Sequence, residues 1–488
     1  MASLSKLGAN EEYIEVYMEK TEIPFLTATE LAELIKSREV SPVEAAQAYL
    51  DRIDAVDNQL NSYITVCWEE ALAEARSAEE QIAAGNYRGP MHGIPVGVKD
   101  QFNTKGILTT GGSSILKDFL PDEDSTVVSK LKNAGAVILG KLNMSEYAMG
   151  DAFHHPYGRP RNPWDLSRNP GTSSSGSGAA TAAHLCATSL GEDTGGSIRG
   201  PAAFCGLAGI RPSYGRVSRY GVLGASWSMD IVGPISRTVS DCAMTLGAIA
   251  GYDPKDPHTW DVPVPDYLSG LNGGIQGLKV GVITERVETD AVDSEVKQGV
   301  QRAITVLGEL GAEIQDVSIP LIIQSAVISS AVIMVDAQAP HAQTMAEHLG
   351  EYDHNNRVRL LSGAIVPARV HQKAIRLRDM LRQQILAALQ QVDILVMPTS
   401  SVPATLIPAK AGINSKEEVL EGYAGRRSFT APFNLANLPA ISVNCGFTSG
   451  NLPIGLQLAG KPFTEETLFR VAHSFEQATD WHNRRTPI

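Results

Sequence analysis

The sequence lacks the marks of a secreted, membrane-spanning or nucleic-acid-binding chain. Its five cysteines (Cys67, Cys186, Cys205, Cys242 and Cys445) are scattered, odd in number and form no C-x-x-C pair. They read as buried thiols of a reducing compartment, not as a disulfide frame or a zinc site. Met1 to Asn10 has no apolar h-region, so no signal peptide is expected. The most apolar stretch, Ile319 to Val335, is interrupted by Pro320, Gln324, Ser325, Ser329 and Ser330. A membrane span needs about 20 apolar residues, so a buried helix is expected there and no membrane association. There is no excess of basic charge: the net charge is −13. That opposes direct binding of nucleic acid or of an anionic membrane, because both need basic surface. No repeat, no charged tail, no H-E-x-x-H and no Cys/His ligand pair occurs, so neither a metal nor a cofactor is called for. These absences leave a cytoplasmic protein, monomeric or homodimeric, acting on a small molecule.

What is present is enough for a large core: 488 residues, 43% of them apolar. Thr27-Ala28-Thr29-Glu30 and Ser41-Pro42-Val43-Glu44 read as capping boxes opening two helices within 27–54. A third helix covers Glu69 to Ala84. Beyond it, short apolar runs alternate with helical periodicity. Strands are expected at Ile94–Lys99, Ala136–Gly140, Leu278–Ile283, Ile314–Val317, Asp393–Met397, Ala440–Val443 and Ile454–Leu458. Helices are expected at Ser125–Ala134, Asp293–Leu310, Arg369–Gln391 and Glu465–Thr479. This alternation implies an α/β protein with a mostly parallel or mixed sheet covered by helices on both faces. Gly251–Gly274 is the best candidate for a connection between two halves, and strands continue after it.

Three segments carry chemistry. Pro170-Gly171-Thr172-Ser173-Ser174-Ser175-Gly176-Ser177-Gly178 runs straight into Ala179–Ala183, so it opens a helix and exposes backbone N–H groups. It lacks the Gly-Lys-Ser/Thr ending of a P-loop. In Asp193-Thr194-Gly195-Gly196-Ser197, the two glycines permit a turn whose N–H groups converge, as an oxyanion hole requires. Lys99 ends a strand apolar enough to be buried on both faces, and burial lowers a lysine pKa until the amine can act as a base. Pairing of Lys99 with Asp100 is the competing reading. Neither serine lies in a G-x-S-x-G elbow, which favours lysine over His92, His154 or His155 as the base.

These segments closely resemble the amidase signature family: Lys99 within Gly93-Ile94-Pro95-Val96-Gly97-Val98-Lys99-Asp100, the PGTSSSGSGAA loop, and DTGGSIRGPAAFCGLAGIRPS, with Ser173 and Ser197 in the family's order and spacing. The resemblance spans residues 27 to 485. It implies a single large α/β/α domain over 27–488, with a catalytic core at about 90–250 after an N-terminal extension of 1–26, and amide hydrolysis through an acyl-enzyme. Carried over residue by residue, Ser197 resembles the nucleophile, Ser173 the bridging serine after a cis peptide, and Lys99 the base. Thr194, Gly195 and Gly196 resemble the oxyanion hole. Ser174 looks like a partner holding Lys99, and Asp193 and Arg199 look like supports of the turn. Thr172 and Ser175 stand where the family usually has glycine.

Close relatives within the family are the amidase subunits of tRNA-dependent glutamine amidotransferases, which grip glutamine with an arginine and an aspartate. Arg378 matches the arginine, but Arg427 falls at or near the aspartate. A cation there repels the α-ammonium of glutamine. The expectation is therefore an amidase for an anilide, primary amide or carbamate. The alternative is the glutaminase subunit of such an amidotransferase. Met149, Trp227, Arg378 and Arg427 are the expected substrate-pocket residues.

Overall fold

A computed structural model describes residues 19–410, 412, 414–418 and 427–488. Eleven strands form one mixed sheet: β1 (Tyr63–Val66), β2 (Pro95–Lys99), β3 (Val137–Leu142), β4 (Thr188–Glu192), β5 (Ala208–Arg211), β6 (Val232–Ser236), β7 (Lys279–Ile283), β8 (Glu313–Val317), β9 (Ile394–Pro398), β10 (Ala440–Phe447) and β11 (Pro453–Gly460). Their order is β1-β3-β2-β4-β6-β5-β10-β11-β9-β7-β8. Helices surround the sheet, and its central strands β2, β3, β4, β5, β6, β9 and β11 are buried along their whole length.

The order has a simple logic. Strands β1 to β6 make one half of the sheet and β7 to β11 the other, and the halves meet where β5 pairs antiparallel with β10. The expected connection at Gly251–Gly274 lies between β6 and β7, in irregular chain.

Local signals hold where they are strongest. Both capping boxes form, at Thr27/Glu30 and Ser41/Glu44, opening helices Ala28–Ser37 and Pro42–Leu60. The apolar stretch after Ile319 begins as a 3-10 turn, Pro320–Gln324, and continues as helix Ser325–Asp336. It is only half-buried: Ile323 and Val327 are exposed, and Ser330, Ile333 and Met334 face a cavity. Among the described residues no single helix is long and apolar enough to cross a membrane. One pair, Pro320–Asp336 and Gln338–Glu351, passes that test only together and is bent by 59° at its break.

Parallel pairing positions the chemistry. Strand β2 lies between β3 and β4 and is parallel to both, with Val98 opposite Leu190. The C-terminal residues Lys99 and Glu192 therefore emerge side by side at one edge of the sheet, where ligand sites of parallel α/β sheets form. The turn carrying Ser197 leaves β4 at that same edge and enters helix Arg199–Cys205.

Candidate active site

Lys99 is fully buried. Its Nζ donates to Ser173 Oγ at 2.8 Å and lies 3.6 Å from Glu192 Oε2. Burial pulls its pKa down to about 8, against the attraction of Glu192, Asp193 and Asp230. The competing partner Asp100 is engaged elsewhere: Lys141 lies 3.3 Å from its Oδ1, and Thr110 donates to its Oδ2.

Ser173 follows a cis Thr172–Ser173 peptide. Ser173 and Ser197 both line a cavity of about 640 Å³, together with Thr194 and Gly195. The turn is anchored from beneath by Asp193, whose carboxylate accepts the N–H groups of Gly196 (2.8 Å), Ile198 (3.2 Å) and Arg199 (3.4 Å). Buried Arg199 reaches Asp193 Oδ1 at 3.0 Å and binds Gln457 and Asn434. The cations of Arg199 and Arg211 hold the Asp193 carboxyl far below the usual range, although burial alone would raise it.

Two expected placements differ in detail. Gly196 gives its N–H to Asp193, so Thr194, Gly195 and Ser197 are the turn residues left on the cavity. Ser174 does not contact Lys99. Its Oγ bridges the Glu192 backbone, 3.4 Å from both the N–H and the carbonyl, because the start of its helix lies across the end of β4.

Of the expected pocket residues, Met149 lines the cavity. Trp227 is 59% exposed and packs against His258 outside it. Arg378 is taken up by Ser228 Oγ, the Ser228 carbonyl and the Leu435 carbonyl, each within 3.0 Å. Sequence position located its helix but not the direction of its side chain. Arg427 opens the helix Arg427–Leu435, and its side chain lies outside the described residues.

Sequence reasoning missed Glu192, Asp230 and Thr430. Thr194 Oγ1 sits between Glu192 Oε1 (2.6 Å) and Asp230 Oδ1 (2.7 Å), and Thr430 grips the turn through the Gly195 carbonyl. Glu192 offered a signal: a carboxylate at the end of an otherwise buried strand, immediately before Asp193. Asp230 and Thr430 offered none.

Fold and site together define an enzyme that hydrolyses C–N amide bonds. A family model described as Amidase matches residues 44–469, and the chain belongs to that family of amidase signature enzymes. The chain is 45% identical, over 96% of its length and 100% of the relative's, to the glutamyl-tRNA(Gln) amidotransferase amidase subunit of Geobacter sp. (strain M21). The solved counterpart of that subunit from Thermotoga maritima is 34% identical with a TM-score of 0.79, covering 94% of this chain and 95% of that one. A chain from a vestigial protein complex bearing on the origins of an s-triazine catabolic enzyme is 29% identical with a TM-score of 0.86, covering 93% and 98%.

These relatives overturn the expectation of a monomer or homodimer unconnected with nucleic acid. They are named as one subunit of an enzyme of glutamyl-tRNA, and one neighbour was solved as part of a complex. Net charge misled because it reports only the chain's own field, and a partner protein can supply the basic surface.

Proposed function

We propose that Ser197 is the nucleophile, Ser173 the proton bridge and Lys99 the base of amide hydrolysis. The observation that carries this is the 2.8 Å contact of buried Lys99 with Ser173, beside Ser197 on one cavity. Neutral Lys99 takes a proton from Ser173, which takes one from Ser197, and Ser197 Oγ attacks the amide carbonyl. The N–H groups of Thr194, Gly195 and Ser197 hold the oxyanion, while Gly196, Asp193 and Arg199 fix the turn that presents them. Ser173 returns a proton to the departing amine, and water repeats the sequence on the acyl-enzyme. A reducing, cytoplasmic setting accords with five free, buried cysteines.

For the substrate, kinship favours glutamine, with the chain working as the amidase subunit of a glutamyl-tRNA(Gln) amidotransferase. End-to-end identity of 45% supports that reading. One observation favours a bulkier apolar amide, such as an anilide or carbamate: the cavity wall includes Met149, Phe204, Ile333, Met334 and Leu406, whereas Arg378 is engaged outside it. Ammonia and amine release would be followed for the chain alone, for any complex it copurifies in, and for Ser197→Ala. Glutamine turnover that depends on the complex supports the subunit reading. Anilide or carbamate turnover by the chain alone supports the apolar amide. Full activity in Ser197→Ala would sink the nucleophile assignment.

A further inference from the structure

Thr194 Oγ1 lies 2.6 Å from Glu192 Oε1 and 2.7 Å from Asp230 Oδ1, and all three side chains are buried. A hydroxyl carries one hydrogen, and an ionised carboxylate only accepts. With both acids ionised, one of these contacts would be oxygen against oxygen with no proton between. We propose that Glu192 and Asp230 share a single proton through the Thr194 hydroxyl, and that its position sets the charge facing Lys99. This rests on the reading of Lys99 as the base, and makes Glu192 and Asp230 positioning residues for it.

The surroundings support an exchange between two arrangements. Glu192 Oε2 faces Lys99 Nζ at 3.6 Å and makes no hydrogen bond. Asp230 accepts the backbone N–H groups of Ala225 and Ser226 at 2.8–2.9 Å, which suits an anion. Burial and the neighbouring Glu192 push it the other way, raising its pKa to about 8. The other charged groups are accounted for. Asp193 is held by Arg199 and Arg211, Asp100 pairs with Lys141, and Arg211 and Arg219 exert a weaker pull on Asp230.

While Lys99 is neutral, the proton resides on Glu192, which donates to Thr194, which donates to Asp230. When Lys99 accepts the Ser173 proton, the Glu192 O–H bond breaks as a new one forms on Thr194. The original Thr194 hydrogen passes to Asp230. The trio gains and loses no proton, and Glu192 becomes the anion beside the new ammonium.

The test is the pH dependence of kcat/KM for the intact protein and its variants on one turned-over amide. Glu192→Gln removes the counter-charge, so the rising limb moves to lower pH. Asp230→Asn moves it to higher pH, because the new carboxamide donates to Thr194 and leaves Glu192 ionised. Each shift is expected to be about one pH unit, a ~10-fold change in rate below the limb. An Asp230→Asn shift to lower pH, or no shift in either variant, overturns the proposal. If either acid variant fails to fold, Thr194→Ser and Thr194→Val decide: the serine keeps the wild-type limb and the valine moves it, whereas coincident limbs overturn the proposal. Lys99→Ala is run alongside. A rising limb that survives there means the base assignment has failed. A limb lost there but unmoved in the acid variants means that only the shared proton has failed.

Discussion

Thr430 Oγ1 donates to the Gly195 carbonyl at 2.7 Å, and the same side chain occupies the space over Gly196 where a Cβ would stand. The turn that bears Ser197 is thereby held between Asp193 below and Thr430 above. Gly196 has φ +110°, a conformation that L side chains rarely adopt. Gly196→Ala is expected to displace the turn and lower kcat about 100-fold or more, the scale of losing one oxyanion donor. Steady-state kinetics beside a circular dichroism spectrum like that of the wild type would check it.

Activity should follow the neutral form of Lys99. With its pKa lowered to about 8 by burial, kcat/KM rises with pH and levels off above that value. Lys99→Ala is expected to lose this limb together with roughly 10²–10⁴-fold in rate. A flat profile in the wild type would contradict the assignment.

Asp193 ties folding to acidity. Arg199 and Arg211 depress its folded pKa, so its contribution is fully present above the ordinary carboxylate range and is lost as pH falls through the folded value. Asp193→Asn leaves two buried cations uncompensated and is expected to cost about 3–5 kcal/mol at pH 7. The gap from wild type should narrow below about pH 4. Denaturant titrations at pH 7 and pH 3 measure both.

Ile333 Cδ1 comes within 3.8 Å of where a Gly195 Cβ would stand, so it borders the reacting centre. Ile333→Ala removes apolar wall there. If bulky apolar amides are substrates, kcat/KM for them should fall roughly 10–100-fold, from about 1–3 kcal/mol of lost contact, with little change for the smallest primary amides. Equal effects on both would argue that Ile333 only supports the helix.

The sequence made the site legible wherever chemistry forces a local pattern. The glycines beside Ser197, the Ser/Gly loop entering a helix and the apolar strand under Lys99 each follow from backbone requirements that neighbouring residues satisfy. Strand β4 was missed because Thr188-Ser189-Leu190-Gly191-Glu192 is polar in composition, although every residue is buried. Its hydroxyls are satisfied by one another and by backbone, as where Thr181 meets Ser189 at 2.8 Å. Asp230 and Thr430 stayed hidden for a different reason. They reach the site from residues far along the chain, and no local periodicity records which distant side chain a turn will meet. Arg378 illustrates the converse: its place on the helix Ala368–Gln391 was evident, but its partners Ser228 and Leu435 are set by tertiary packing.

The meeting of β5 with β10 has a practical meaning for how this enzyme could be divided. Lys99, Ser173, Ser197, Glu192 and Asp230 all belong to the half-sheet that precedes residue 251, whereas Thr430, Asn434 and Gln457, which brace the turn, belong to the other. One segment owns the reactive groups and the other owns their brace. A polypeptide severed within 251–274 would yield two pieces, neither competent by itself, whose reunion across a single antiparallel seam would switch hydrolysis on. The architecture is that of a two-part reporter whose signal is association.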